Sequence, residues 1–224
     1  MREQNLIDDP LRLLRRLRLL AEIPLVLDTE TGEWIQRHRQ ALLESAPERI
    51  LAELQRLVKG THADHSLHLL KRWQLLQPWG TTSQTLSKHD TTLLHAAEVA
   101  VALPLARLTN LISDDGLKRL KASKVLQQRC ARLRHWILQA KQQPEALPEQ
   151  ERLQLHLELD VDLAALIIGL PIELQEQWLK RRRDPTAPLF HATMPHEGGT
   201  LQRELGPSAR PTKGKCDAPS SLEK

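Results

Sequence analysis

Apolar residues recur at three- and four-residue intervals in one short run after another, and prolines or glycines close the runs. Leu13, Leu17 and Leu20, with Leu14 and Ala21 alongside, form the first stripe. Asp9 is placed to cap it, Pro10 stands at the first helical position, where its missing N–H costs nothing, and Pro24 stops it. Asp28 caps a second helix through Trp34 and Ile35, weakened in its first turn by Gly32. Ser45-Ala46-Pro47-Glu48 reads as a capping box that starts a third, with Ile50, Leu51, Leu54, Leu57 and Val58 at helical spacing and Gly60 as its end. Asp64 opens a fourth, which carries Leu67, Leu70 and Trp73 and is closed by Pro78 and Gly80. A chain punctuated in this way predicts short helices bundled on their leucine faces.

The same period continues. Residues 84–112 read as helical and broken at Pro104; residues 117–140 carry the stripe Leu126, Cys130, Leu133, Ile137 and Ala140; shorter helices are expected over 150–169 and 172–182. Leucine dominates the apolar residues, tyrosine is absent, phenylalanine occurs once, and there are 9 glycines in 224 residues. That composition favours helix over sheet, so the expected fold is all-α. Residues 1–80 and 81–183 are expected to form two successive helical units, a neck and a body. From 184 to 224 the sequence turns to Pro, Gly, Ser, Thr and Lys, and an irregular tail is expected, disordered over its last fifteen residues.

Cys130 and Cys216 stand far apart and form no C-x-x-C pair, which argues against a disulfide scaffold or a cysteine zinc site and fits a reduced, cytoplasmic setting. No stretch reaches the length of apolar sequence that spans a bilayer, and Met1 is followed by polar residues rather than a signal-peptide core. The net charge of +4 is compatible with an anionic partner, and its distribution matters more than its size. Lys118, Arg119, Lys121, Lys124, Arg129, Arg132, Arg134 and Lys141 occur with no acid between Leu117 and Pro144, a field suited to phosphate although scattered around the helix. Of these, Lys118, Arg119, Lys121, Lys124, Arg129 and Arg132 are the candidate RNA contacts.

The opening Asp8-Asp9-Pro10-Leu11-Arg12-Leu13-Leu14-Arg15 sets carboxylates and two guanidinium groups near one helix end. Asp9 accepts hydrogen bonds and Arg12 donates them, so the two can pair with the edge of a nucleobase, each bidentate contact being worth about 1–3 kcal/mol of discrimination. On spacing alone, an ordinary cap and solvated arginines explain the same residues. The octet, however, resembles the Glu-Asp-x-x-Arg-x-x-Arg nucleotide-recognition motif of class II tRNA nucleotidyltransferases, the CCA-adding enzymes and bacterial poly(A) polymerases. The resemblance continues in order through Arg12–Ala21, the turn Ile23–Leu27, the helix start Asp28-Thr29-Glu30-Thr31 and the segment Ala46–Leu54, and on to Trp79. It returns near the end at Asp184-Pro185, Pro188–His191 and Gly199–Gly206, which look like the start of a tail module of cyanobacterial-type members, with Pro207–Lys224 unrelated.

The resemblance implies that Asp9 and Arg12 read CTP or ATP, that Arg15 lies near the nucleotide, and that Asp8 stands where the family has glutamate. It further implies that Glu48, Arg49 and Glu53 brace this template, and that tRNA is the partner. Metal chemistry in the family belongs to a head domain with a Gly-rich turn and a carboxylate pair. Only seven residues precede the octet. The chain is therefore expected to supply neck, body and tail without catalytic residues or bound metal, with CTP/ATP and Mg2+ engaged only alongside a head, which is carried by another chain or lost from a broken gene. The alternative is a catalytically dead helical RNA-binding or protein-interaction module. Asp160-Val161-Asp162 lacks the Gly-rich turn and reads as a helix cap; His89-Asp90 reads as a polar helix start; His62, His65 and His68 read as a solvated face.

Overall fold

The structure, a computed structural model, describes residues 3–81, 89–139 and 147–184. Among these residues every regular element is helical, as the leucine spacing predicts. In chain order they are α1 (Gln4–Asp8), α2 (Arg12–Glu22), α3 (Thr29–Arg37), a 3-10 helix (Arg39–Glu44), α4 (Pro47–Leu57), α5 (Ala63–Arg72), α6 (Ala96–Leu111), α7 (Asp114–Arg119), α8 (Lys124–Gln139), α9 (Glu149–Leu159), α10 (Leu163–Ile167) and α11 (Ile172–Arg183). No helix of the described residues is long and apolar enough to cross a membrane.

The first half is organised around α2, which buries Leu13, Leu14, Leu17, Leu20 and Ala21 and packs on both α4 and α5. Withdrawing a leucine side chain from water contributes roughly 1.5–3 kcal/mol. That outweighs the few tenths of a kcal/mol lost for each pair of like charges among Arg12, Arg15, Arg16 and Arg18 on the same helix. Contact with α5 is close because the facing residues are small. A Cβ on Gly60 would fall 2.4 Å from the Ala21 carbonyl oxygen. The His62 N–H donates to that carbonyl at 2.8 Å, and the buried Ser66 hydroxyl donates to the Leu17 carbonyl at 2.8 Å. Gly60 is thus required by close approach, not as a helix terminator; α4 has already ended at Leu57.

In the second half α6 packs on α8 and α10, α9 lies against α8, and α11 against α10. The buried side chains form one continuous core from Leu6 to Leu179. Arg107 of α6 reaches across it: although only 5 % exposed, its guanidinium donates to the Val58 and Gly60 carbonyls at 3.0 and 3.1 Å and to Asp64 Oδ1 at 2.8 Å. One cation therefore closes the end of α4 and ties it to the start of α5.

Several local expectations are corrected. A short helix, α1, precedes the one expected first. Asp28 does cap α3, accepting the Thr31 N–H at 2.8 Å. Ser45 does not cap α4, because that helix starts one residue later, with Ala46 before Pro47. Asp64 lies inside the first turn of α5 and answers Arg107 instead of capping. Helix α6 runs through Pro104 unbroken; the carbonyl that loses its donor there belongs to Ala100, an exposed residue. The single helix expected over 117–140 divides into α7 and α8, with Lys121 at φ 55° between them and the Ser123 hydroxyl accepting the Leu126 N–H at 3.2 Å. That over 150–169 divides at Asp160–Asp162 into α9 and α10. The helix expected over 84–112 begins only at Ala96, residues 89–95 being turn and irregular backbone. Residues 84–88, Ala140 and Lys141, and the tail from 185, including Cys216 and the Pro188–His191 and Gly199–Gly206 segments, lie outside the described residues.

Candidate nucleic-acid interface

Asp9 follows α1 with an extended backbone (φ −142°, ψ 91°). Pro10 and Leu11 then turn the chain, the Arg12 N–H donating to the Asp9 carbonyl at 3.0 Å. The Asp9 carboxylate does not cap α2, which begins only at Arg12. It accepts from Arg15 Nη1 at 3.2 Å and lies 3.7 Å from Arg12 Nε. Two nearby guanidinium groups hold a carboxylate more strongly than the neutral N–H groups of a helix start.

From Asp9 the ion pairs continue along one side of α2. Arg15 Nε meets Glu53 Oε1 at 3.2 Å, Arg18 Nε meets Glu53 Oε2 at 3.0 Å, and Arg18 Nη1 meets Glu22 Oε1 at 2.9 Å. Spacing by three residues aligns Arg12, Arg15 and Arg18, and α4 supplies the acid between the last two. Glu53 is 6 % exposed, so it is the anchor of the row. Glu53→Gln keeps its shape and removes its charge. Because Arg15 and Arg18 are 39 % and 22 % exposed and can turn to water, the expected loss of stability is about 2 kcal/mol, less than for a fully buried pair. Urea unfolding checks this, and an unchanged midpoint would show that the row contributes nothing.

Arg12, Arg15 and Arg16 line an open cleft of about 220 Å3 with Asn5 and Leu19. Arg12 remains 44 % exposed there. The structure thus brings together Asp9, Arg12, Arg15 and Glu53 and leaves Asp8 outside, solvent-exposed and accepting from Gln4 Nε2 at 2.9 Å. Sequence reasoning missed Arg16 and Asn5; Arg16 follows Arg12 by four residues, a spacing that signals a shared face.

The remaining candidates lie elsewhere. Glu48 turns away from α2 to Lys121, 2.7 Å from its ammonium group, and that hydrogen bond holds the carboxyl below the usual glutamate range. Arg49 is exposed on α4. Among the candidate RNA contacts, Arg119 pairs with Asp115 at 2.8 Å, and Arg129 grips Asp162 with two bonds of 2.9 and 2.6 Å. Arg134, close by, is bonded to Asp114 and to the carbonyls of Thr109 and Ile112. Lys118, Lys124 and Arg132 are exposed, with Arg132 near Glu158.

Asp162 sits at the N-cap position of α10, but its carboxylate is 6 % exposed and both oxygens are taken by Arg129. It does not fit a magnesium ion, and no cluster of three or more His, Cys, Asp or Glu side chains among the described residues fits a metal. Asp90 caps a turn, accepting the N–H and hydroxyl of Thr92 at 3.0 and 2.7 Å. His89 lies 3.0 Å from the Asn110 side-chain nitrogen. His62, His65 and His68 are exposed.

Residues 24–79 match the family described as "Probable RNA and SrmB- binding site of polymerase A". The match takes in α3, the 3-10 helix, α4 and α5, and it relates that segment, at a coarse level, to the poly(A) polymerases. No curated protein matches the chain.

Proposed function

We propose that this chain is an RNA-binding helical module of the poly(A) polymerase and CCA-adding type, acting in tRNA 3′-end processing. The observation that carries the reading is the family match over residues 24–79, whose description names RNA. The arginine-lined cleft on α2 directly precedes that segment in the chain. In this reading Arg12, Arg15 and Arg16 meet the incoming CTP or ATP, Asp9 orients Arg12 and Arg15 and accepts from the base, and Glu53 holds Arg15 in place. In this reading divalent-metal chemistry belongs to a catalytic head. The chain's own share is selection of the nucleotide and a grip on tRNA.

The test is equilibrium binding of the chain to a tRNA transcript lacking its 3′ CCA, measured across a salt series. Binding is expected to be tight at low salt and to fall linearly in log–log form as salt rises, with a slope of roughly −0.7 to −0.9 for each phosphate neutralised. No binding at low salt would overturn the reading.

A further inference from the structure

Helix α4 has one face without acids. Its two glutamates are both drawn off: Glu53 inward to Arg15 and Arg18, Glu48 sideways to Lys121. The outward arc carries Arg49, Ala52 and Arg56, with Lys59 in the turn that follows, and all four are exposed. None of the three cations has an acidic partner among the described residues, in contrast to Lys121, Arg129 and Arg134, to which the fold brings Glu48, Asp162 and Asp114, and to Arg119, which pairs with Asp115 one turn earlier on the same helix. The sequence ranks the two regions the other way. Residues 117–143 look acid-free and α4 looks mixed; in the fold, acids occupy Arg119, Lys121, Arg129 and Arg134, while the outward arc of α4 is left without one.

From these placements we infer that Arg49, Arg56 and Lys59 form the principal contact of this chain with an RNA phosphate backbone. The inference rests on the RNA-binding reading and locates it. At 1.5 Å of rise per residue the three cations extend over about 15 Å, while one strand of a duplex places a phosphate every ~3.4 Å of its axis. Several consecutive phosphates can therefore lie along the face. Arginine forks suit phosphate oxygens, and Ala52, small and central, lets a backbone lie close between them. Lys121, bound to Glu48 at the N-terminal end of α4, joins this face to the exposed Lys118 and Lys124. The stripe lies wholly inside the matched segment 24–79.

The experiment compares the full chain, a triple variant R49E/R56E/K59E and a double variant K118E/K124E, each titrated with single-stranded oligoadenylate and with a tRNA transcript over a salt series. Thermal melts check folding, and R49Q/R56Q/K59Q stands in should charge reversal disturb it. The triple variant is expected to lose more than about tenfold in low-salt affinity and to reduce the salt slope by about 3, one for each phosphate contact removed. The double variant is expected to lose less than the triple. Should the wild type bind and the triple variant keep its affinity and slope, the α4 assignment falls while RNA binding stands. Should the wild type fail to bind at low salt, both fall together.

Discussion

Arg107→Met is expected to lower the free energy of unfolding by about 2 kcal/mol. Methionine replaces much of the arginine stem, so the loss is mainly polar. The carbonyl of buried Val58 loses its donor, which costs about 1–3 kcal/mol, while that of Gly60 loses one of two donors and keeps the Ala63 N–H at 3.3 Å. Asp64 is 84 % exposed and returns to water at little cost. Part of the carbonyl loss is offset because a cation is no longer buried, and Arg107 Nε has no hydrogen-bond partner among the described residues. Arg107→Lys, which can satisfy fewer acceptors at once, is expected to fall between the two. Urea unfolding of the three proteins measures the series, and a methionine variant as stable as wild type would show that water reaches those carbonyls.

Acid is expected to remove roughly 3 kcal/mol of stability through His89 alone. The ring nitrogen faces the Asn110 side-chain amide, which donates to it, so the favoured form is neutral. Burial, reinforced by the nearby Arg107 cation and opposed by Asp64, pushes the imidazole from 6.5 down to about 4. Above the ordinary value the residue is neutral whether the chain is folded or not. As pH falls below it, the unfolded chain takes up a proton that the folded chain refuses, and stability declines until the folded-state value is passed. Carboxylates elsewhere in the chain change protonation in acid as well, so the measurement is the wild-type stability minus that of His89→Gln from pH 7 to pH 4. That difference should shrink and then change sign as pH falls; a constant difference would mean that His89 is hydrated.

The helices and the faces they bury were largely legible because leucine spacing is a local property, as in Leu13–Leu17–Leu20 and Ile50–Leu54–Leu57. Charge pairing was not. Arg15 and Glu53 are 38 residues apart, Arg129 and Asp162 33, and Lys121 and Glu48 73, and periodicity carries no signal at such separations. The same blindness explains two of the caps: Asp64 and Asp162 look like helix starters, and each is claimed by an arginine that only the folded chain brings near, while Asp9 is claimed by Arg15, six residues on. The α7–α8 break was hidden because Lys121 adopts a left-handed backbone that usually advertises itself as glycine. Within the candidate interface, Asp9, Arg12, Arg15 and Glu53 were all named from the motifs, whereas the burial of Glu53 and its pairing with Arg15 and Arg18 needed the packing of α4 on α2.

The crowding of arginines on α2 bears on how the chain acquires its structure. Eleven residues are too few for a helix to persist alone in water, and guanidinium groups three and four positions apart resist the coil-to-helix step further. A peptide cut from this segment would stay mostly unwound. Its helix is a product of docking: the leucine face needs α4 and α5 to cover it, and the charged side needs Glu53 from the same neighbour. Winding and assembly of the first half are therefore one event, with α4, whose first turn carries both a helix-starting proline and Glu48, better placed than α2 to form early.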